Sequence, residues 1–135
     1  MLFLPNFDTH NSMAEKLQIG LLYGGKSGEH EVSLRSAAAV FKHLDREKYE
    51  CILIGISPEG RWYLQDLPAD VIPESLAIVE DEDKELVLAP GKGIYSQQCI
   101  IPIDLVLPIL HGSFGEDGTL QGALDITGIP YAASG

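Results

Sequence analysis

Along the chain the apolar positions change period several times, and each change marks an element. Leu17-Gln-Ile-Gly-Leu-Leu-Tyr23 is a short, nearly unbroken apolar run that stops at Gly24-Gly25. Continuity over so few residues fits a strand buried on both faces better than a half-exposed one, which would alternate. Beyond the glycines, Leu34, Ala37, Ala38 and Phe41 fall at i, i+3, i+4 and i+7, and Leu44 extends the stripe. That spacing predicts an amphipathic helix from Glu31 to about Leu44 with one face on a sheet. Tyr49 to Ile56 predicts a second strand, and a strand, helix, strand order implies a parallel pair with a right-handed crossover. Pro58-Glu-Gly60 then turns the chain into a hairpin arm at Arg61-Trp-Tyr-Leu64.

From about Gln65 to Gln98 the pattern loosens, with Pro68, Pro73 and Pro90, an acidic run Glu80-Asp-Glu-Asp83, and a short strand candidate at Leu86-Val-Leu88. We expect this region to be an excursion from the main sheet. The acidic run is a solvated surface, because consecutive carboxylates on one flexible segment cannot all converge on an ion. Regularity returns with a buried-strand pattern at Ile103 to Leu110, a glycine-rich segment His111-Gly-Ser-Phe-Gly-Glu-Asp-Gly118, and a helix to Thr127 carrying Leu120, Ala123 and Leu124 on one face. Ile129-Pro-Tyr131 opens a last strand. The fold class is therefore α/β, an open, mostly parallel sheet with helices on both faces. Residues 1–16 are expected to be a flexible leader, with Met13 a candidate second start, and 17–135 the folded domain.

Composition narrows the partners. With 9 Lys+Arg against 20 Asp+Glu the net charge is −11, which repels phosphate backbones and anionic lipid, so neither nucleic acid nor membrane is an expected partner. The most apolar stretch, Cys99 to Leu110, is interrupted by Pro102, Asp104 and Pro108 and is shorter than the roughly 20 residues of a membrane-spanning helix. The start lacks the cationic region and apolar run of a secretory signal, which makes a cytoplasmic setting the expectation. Cys51 and Cys99 lie outside any Cys-x-x-Cys spacing. They support neither a disulfide framework nor a thiolate metal site, and we expect two buried thiols.

In an open parallel sheet, ligands sit at the carboxyl ends of strands, and two glycine-rich segments, Gly24 to Glu31 and His111 to Gly118, follow predicted strands here. Gly20-Leu-Leu-Tyr-Gly-Gly-Lys-Ser27 formally satisfies the P-loop pattern, which offers a nucleotide hydrolase as one alternative. However, Leu21, Leu22 and Tyr23 continue the apolar strand where a phosphate-cradling loop should be, and Gly28 follows the Lys-Ser pair directly. The dinucleotide pattern fails too, since Gly24-Gly25-x-x-Gly28 is not G-x-G-x-x-G. Glu29 and Glu31 both favour the positive end of the predicted helix. Being two residues apart, they cannot both face one pocket, so at most one is a site residue. His30 and His43 are expected to be structural. His111, at the end of a buried strand, suits a side chain that meets a ligand as well as one bonded to loop backbone. Asp117 suits the N-cap of the helix that follows, and Glu116 a first-turn charge.

Gly24-Gly-Lys-Ser-Gly-Glu-His-Glu-Val-Ser33, together with His111-Gly-Ser-Phe-Gly-Glu-Asp-Gly-Thr-Leu-Gln-Gly122, resembles the amino-terminal part of the bacterial D-alanine–D-alanine ligases. The resemblance extends from about Leu17 to Gly135. It implies a Rossmann-like pre-ATP-grasp domain of an enzyme that joins two molecules of D-alanine for peptidoglycan synthesis through an acyl phosphate. Glu29 would then hold the ammonium of the first D-alanine, with Val32 near its methyl group and Ser33 in the adjoining helix turn, while Glu31 faces away. His111 would stand beside the substrate carboxylates, and Gly112 would let backbone approach closely.

The family's lysines, glycine-rich flap and carboxylates for ATP and Mg (or Mn) follow the last residue of this chain. The resemblance therefore implies that no cofactor or metal is held by these 135 residues and that alone they do not catalyse ligation. It implies a homodimer as well, with the hairpin region between Ser57 and Pro102 as a candidate contact. A second D-alanine, a D-lactate or a D-serine are equally open as the second substrate. A non-catalytic α/β module binding a small molecule in the same crevice is the other alternative.

Overall fold

The computed structural model describes residues 16–25, 30–109 and 119–132. The elements are Leu17–Gly24 (β1), His30–His43 (α1), Tyr49–Ile56 (β2), Trp62–Gln65 (β3), a 3₁₀ turn at Glu82–Lys84, Leu86–Ala89 (β4), Gly93–Ser96 (β5), Cys99–Ile100 (β6), Leu105–Ile109 (β7) and Thr119–Thr127 (α2). The expected leader lies outside the described residues except for Lys16.

Four strands form the main sheet in the order β3-β2-β1-β7. β1 pairs in parallel with β2 and with β7, and β3 returns antiparallel on β2. Neighbouring side chains on a strand point to opposite faces, so the continuous apolar runs supply two cores at once. Leu21, Tyr23, Cys51 and Leu53 meet Ala37, Ala38 and Phe41 of α1 on one face. Leu22, Ile54, Ile56 and Val106 meet Leu120 and Leu124 of α2, with Leu86 and Ile94, on the other. The α/β arrangement with helices on both faces is thus the observed one. Each leucine, isoleucine, valine or phenylalanine among them, fully buried, contributes roughly 1.5–3 kcal/mol over exposure, so filling both faces dominates what holds the sheet.

Pro108 lies inside β7 rather than ending it. Val106 N–H and C=O both bond the Pro130–Ala132 segment, on the side away from β1. Pro108 has the same parity, so its missing N–H leaves no gap in the ladder with β1. The last strand is reduced to one bridge, Tyr131 to Val106.

The region between the hairpin arm and β7 is indeed an excursion, and it carries a second, antiparallel sheet, β4-β5-β6. Only its first strand is apparent in the sequence. β5 and β6 pair through Ser96 and Cys99 across a two-residue turn in which Gln97 and Gln98 have φ of 49° and 71°. Glycine or asparagine usually fills such a turn, so glutamines conceal it. The expectation of two buried thiols is corrected here: Cys51 is buried in the main sheet, whereas Cys99 is exposed, because it lies on the short outer strand β6 with no layer over it.

Candidate functional site

Because β1, β2 and β7 run parallel, Gly24, Ile56 and Ile109 end at the same edge of the sheet. The chain leaves β1 for β2 on one side, while β7 lies on the other, which makes the β1–β7 boundary the point where such sheets leave a crevice. Both glycine-rich segments depart from it, one after β1 and one after β7.

Glycine is required at the end of β1. Gly24 has φ +99°, and a Cβ there would lie 2.3 Å from the Ile56 carbonyl oxygen and 2.6 Å from Ile78 Cδ1. Gly25 also has positive φ, and its N–H donates to Ile56 O at 2.8 Å, extending the β1–β2 pairing by one step. A Cβ on Gly55 would approach Ile78 Cγ1 to 2.8 Å. Ile78 therefore lies directly across backbone at the ends of β1 and β2.

The first turn of α1 fastens the other side. His30 Nδ1 donates to the Gly25 carbonyl at 2.6 Å; a carbonyl only accepts, so the proton is on Nδ1. Ser33, fully buried, uses one hydroxyl twice: it accepts from Gly24 N–H at 2.8 Å and donates to the Ile109 carbonyl. Val32, one residue earlier, is 37% exposed, and Glu31 points to solvent. Glu29, His111 and Gly112 lie outside the described residues, as do Glu116 and Asp117.

Below this edge, Tyr23 donates its hydroxyl to Ala77 O at 2.8 Å. Burial, with a smaller contribution from Cys51, holds its phenol far above the usual range. Burial likewise pushes the Cys51 thiol up to about 11, against the lowering charge of Arg46 and with a further rise from Glu50. Neither group is ionised at neutral pH, so neither is a nucleophile there. A cavity of about 310 Å³ lies between this face of the sheet and the segment running from Asp66 to Lys84. Its polar groups are occupied with one another: Gln65 bonds Val79 N and O, and Lys84 pairs with Asp66 at 2.7 Å.

The P-loop alternative is settled against by the strand itself. Leu21, Leu22, Tyr23 and Gly24, the four variable positions of the pattern, are ladder residues of β1 paired to Leu53, Ile54, Gly55 and Ile56. They cannot also curl round a phosphate. Among the described residues no group of three or more His, Cys, Asp or Glu is placed to hold a metal ion, and no helix is long and apolar enough to cross a membrane.

Sequence reasoning placed the two glycine-rich segments after strands that prove to be neighbours, but missed Ser33 as a tie between those strands and Ile78 packed over the ends of β1 and β2. Ser33 did leave a signal: it continues the buried stripe Ser33, Ala37, Phe41, and a hydroxyl on a buried face needs a partner. Ile78 left none.

The family model for the D-ala D-ala ligase N-terminus matches residues 18–134. The D-alanine–D-alanine ligase of Natranaerobius thermophilus is 43% identical over 125 residues, which cover 90% of this chain and 34% of that ligase. Among solved structures, the VanG D-Ala:D-Ser ligase from Enterococcus faecalis superimposes with a TM-score of 0.72 at 38% identity, covering 87% of this chain and 35% of that one. The D-alanine–D-alanine ligase from Bacillus anthracis, solved with ATP, gives a TM-score of 0.51 at 27% identity over 87% of this chain and 28% of that one. The chain thus spans about a third of the length of these relatives. With the matched residues running from the start of β1 past the end of α2, the chain belongs to the D-ala D-ala ligase N-terminus family.

Proposed function

We propose that this chain provides the binding half for the first substrate of an ATP-dependent ligase that joins two D-alanines. The observation that carries the proposal is the family match across residues 18–134, which takes in both glycine-rich segments. The sheet order supports it, because β1 and β7, the strands that precede those segments, are neighbours.

A zwitterionic amino acid needs an anion for its ammonium and positive charge or dipoles for its carboxylate. Glu29 supplies the anion, Val32 lies against the methyl group, His111 stands beside the carboxylates, and Gly112 admits backbone close to the ligand. ATP, bound elsewhere with Mg or Mn, supplies the phosphoryl group that activates the first carboxylate. The second substrate is a D-amino or D-hydroxy acid chosen by polypeptide outside these residues. We further infer that the protein is cytoplasmic and forms a homodimer, the dimer being supported by the outward-facing Val87 and Ile100 of the second sheet, 62% and 55% exposed.

The test is D-alanine-dependent ADP release by the full-length gene product. Wild type should turn over, and Glu29→Gln should raise KM for the first D-alanine by about 10²–10³, as expected when the ionic partner of the substrate ammonium is lost. Wild-type protein without D-alanine-dependent turnover would overturn the assignment.

A further inference from the structure

In the parallel pairing of β1 with β7, Ile19 to Tyr23 lie opposite Leu105 to Ile109 in unbroken register. Val106 turns its N–H and C=O away from β1, so the alternate residues Leu105, Leu107 and Ile109 face it. The next rung of a parallel ladder would join Gly24 N–H to Ile109 C=O. Those two groups are the ones that Ser33 holds: its hydroxyl accepts from the first and donates to the second. A single oxygen from the intervening helix thus stands in the position of a backbone hydrogen bond, at the last step before the two strands part.

We propose that Ser33 is a positioning residue that sets the opening of the crevice. By standing between the ends of β1 and β7 it fixes the spacing of the two points from which the glycine-rich segments leave. Without the hydroxyl, Gly24 N–H and Ile109 C=O either pair directly and draw the strands together, or remain buried without partners. In the first case the segments start from altered positions, and in the second from strand ends that nothing ties together. The serine is fully buried, so its effect on a ligand passes through these strand ends. His30, one turn away, reinforces the arrangement by holding Gly25 O at 2.6 Å.

The inference rests on the proposed ligase function, and the test separates the two. In the full-length protein, Ser33→Ala should raise KM for the first D-alanine about tenfold while kcat changes less than threefold, since misplaced binding groups cost affinity first. Ser33→Thr, which retains the hydroxyl, should recover most of the loss. Phe41→Leu, two turns along the same buried stripe, serves as a control for general loosening and should lower the melting temperature while leaving KM in place. Equal KM changes in Ser33→Ala and Phe41→Leu, or an unchanged KM in Ser33→Ala with active wild type, would overturn the role of Ser33. Should Ser33→Ala fail to fold, the Ser33→Thr and Phe41→Leu pair decides: a Ser33→Thr protein whose KM rises as far as its stability falls contradicts the proposal. Inactive wild type would instead overturn the ligase function.

Discussion

Cys51 and Cys99 show how little residue type decides without surroundings. Cys51 lies under α1, and its thiol is held up to about 11, whereas Cys99 is on an exposed strand. A thiol reagent at pH 8 should therefore label Cys99 in the native protein and reach Cys51 only after denaturation; rapid labelling of both would contradict the packing. The shift also has a consequence for stability. Above the ordinary value of 9.0 the unfolded chain releases the Cys51 proton while the folded chain keeps it, so stability falls as pH rises from about 9 to about 11. Comparing melting temperatures at those two pH values, Cys51→Ala should show a smaller alkaline drop than wild type. The sequence distinguished neither environment, because both cysteines sit beside isoleucines and only the layers above them differ. Ser33 was legible as a position in the helix stripe, but its two backbone partners come from residues 9 and 76 places away, which no local pattern encodes.

Among the elements, the long runs were legible and the short ones were not. β1, α1 and β2 each bury a long run or stripe of side chains, so their apolar pattern is imposed by packing and is visible along the chain, and β7 shows as an apolar run although only Val106 in it is fully covered. β5 and β6 have four and two residues, too few to establish a period. The connection from β3 to the second sheet depends on another feature with no sequence signature, the side chain of Gln65. It donates to Tyr63 O and Val79 O and accepts from Val79 N, serving as a strand partner for a segment that has none. Gln65→Leu keeps the size and removes all three bonds. At roughly 0.5–1.5 kcal/mol for each, the loss should be about 1.5–4.5 kcal/mol, measured as a lower urea midpoint. An unchanged midpoint would mean that Leu76 and Ile78, packed on the sheet, hold the segment without help.

For the whole molecule, charge and connectivity matter more than any one contact. A net charge of −11 on 135 residues makes the folded state repel itself, since folding draws the carboxylates together. Raising sodium chloride from about 20 mM to about 300 mM shortens the screening length several-fold and should raise the melting temperature by a few degrees. A fall would show that attractive pairs such as Lys84–Asp66 outweigh the repulsion. The sheet order has an effect of another kind. β1 is synthesised first yet ends in the middle of the sheet, with β2 on one edge and β7 on the other. Between Leu17 and Leu105 the ribosome must deliver the entire excursion, and until it does so β1, whose last six residues are all buried in the finished sheet, has one edge open to any other extended chain. In a crowded cell the nascent protein is thus open to mispairing from the emergence of β1 until β7 has been made, and the acidic surface that disfavours contact between copies is then its main protection.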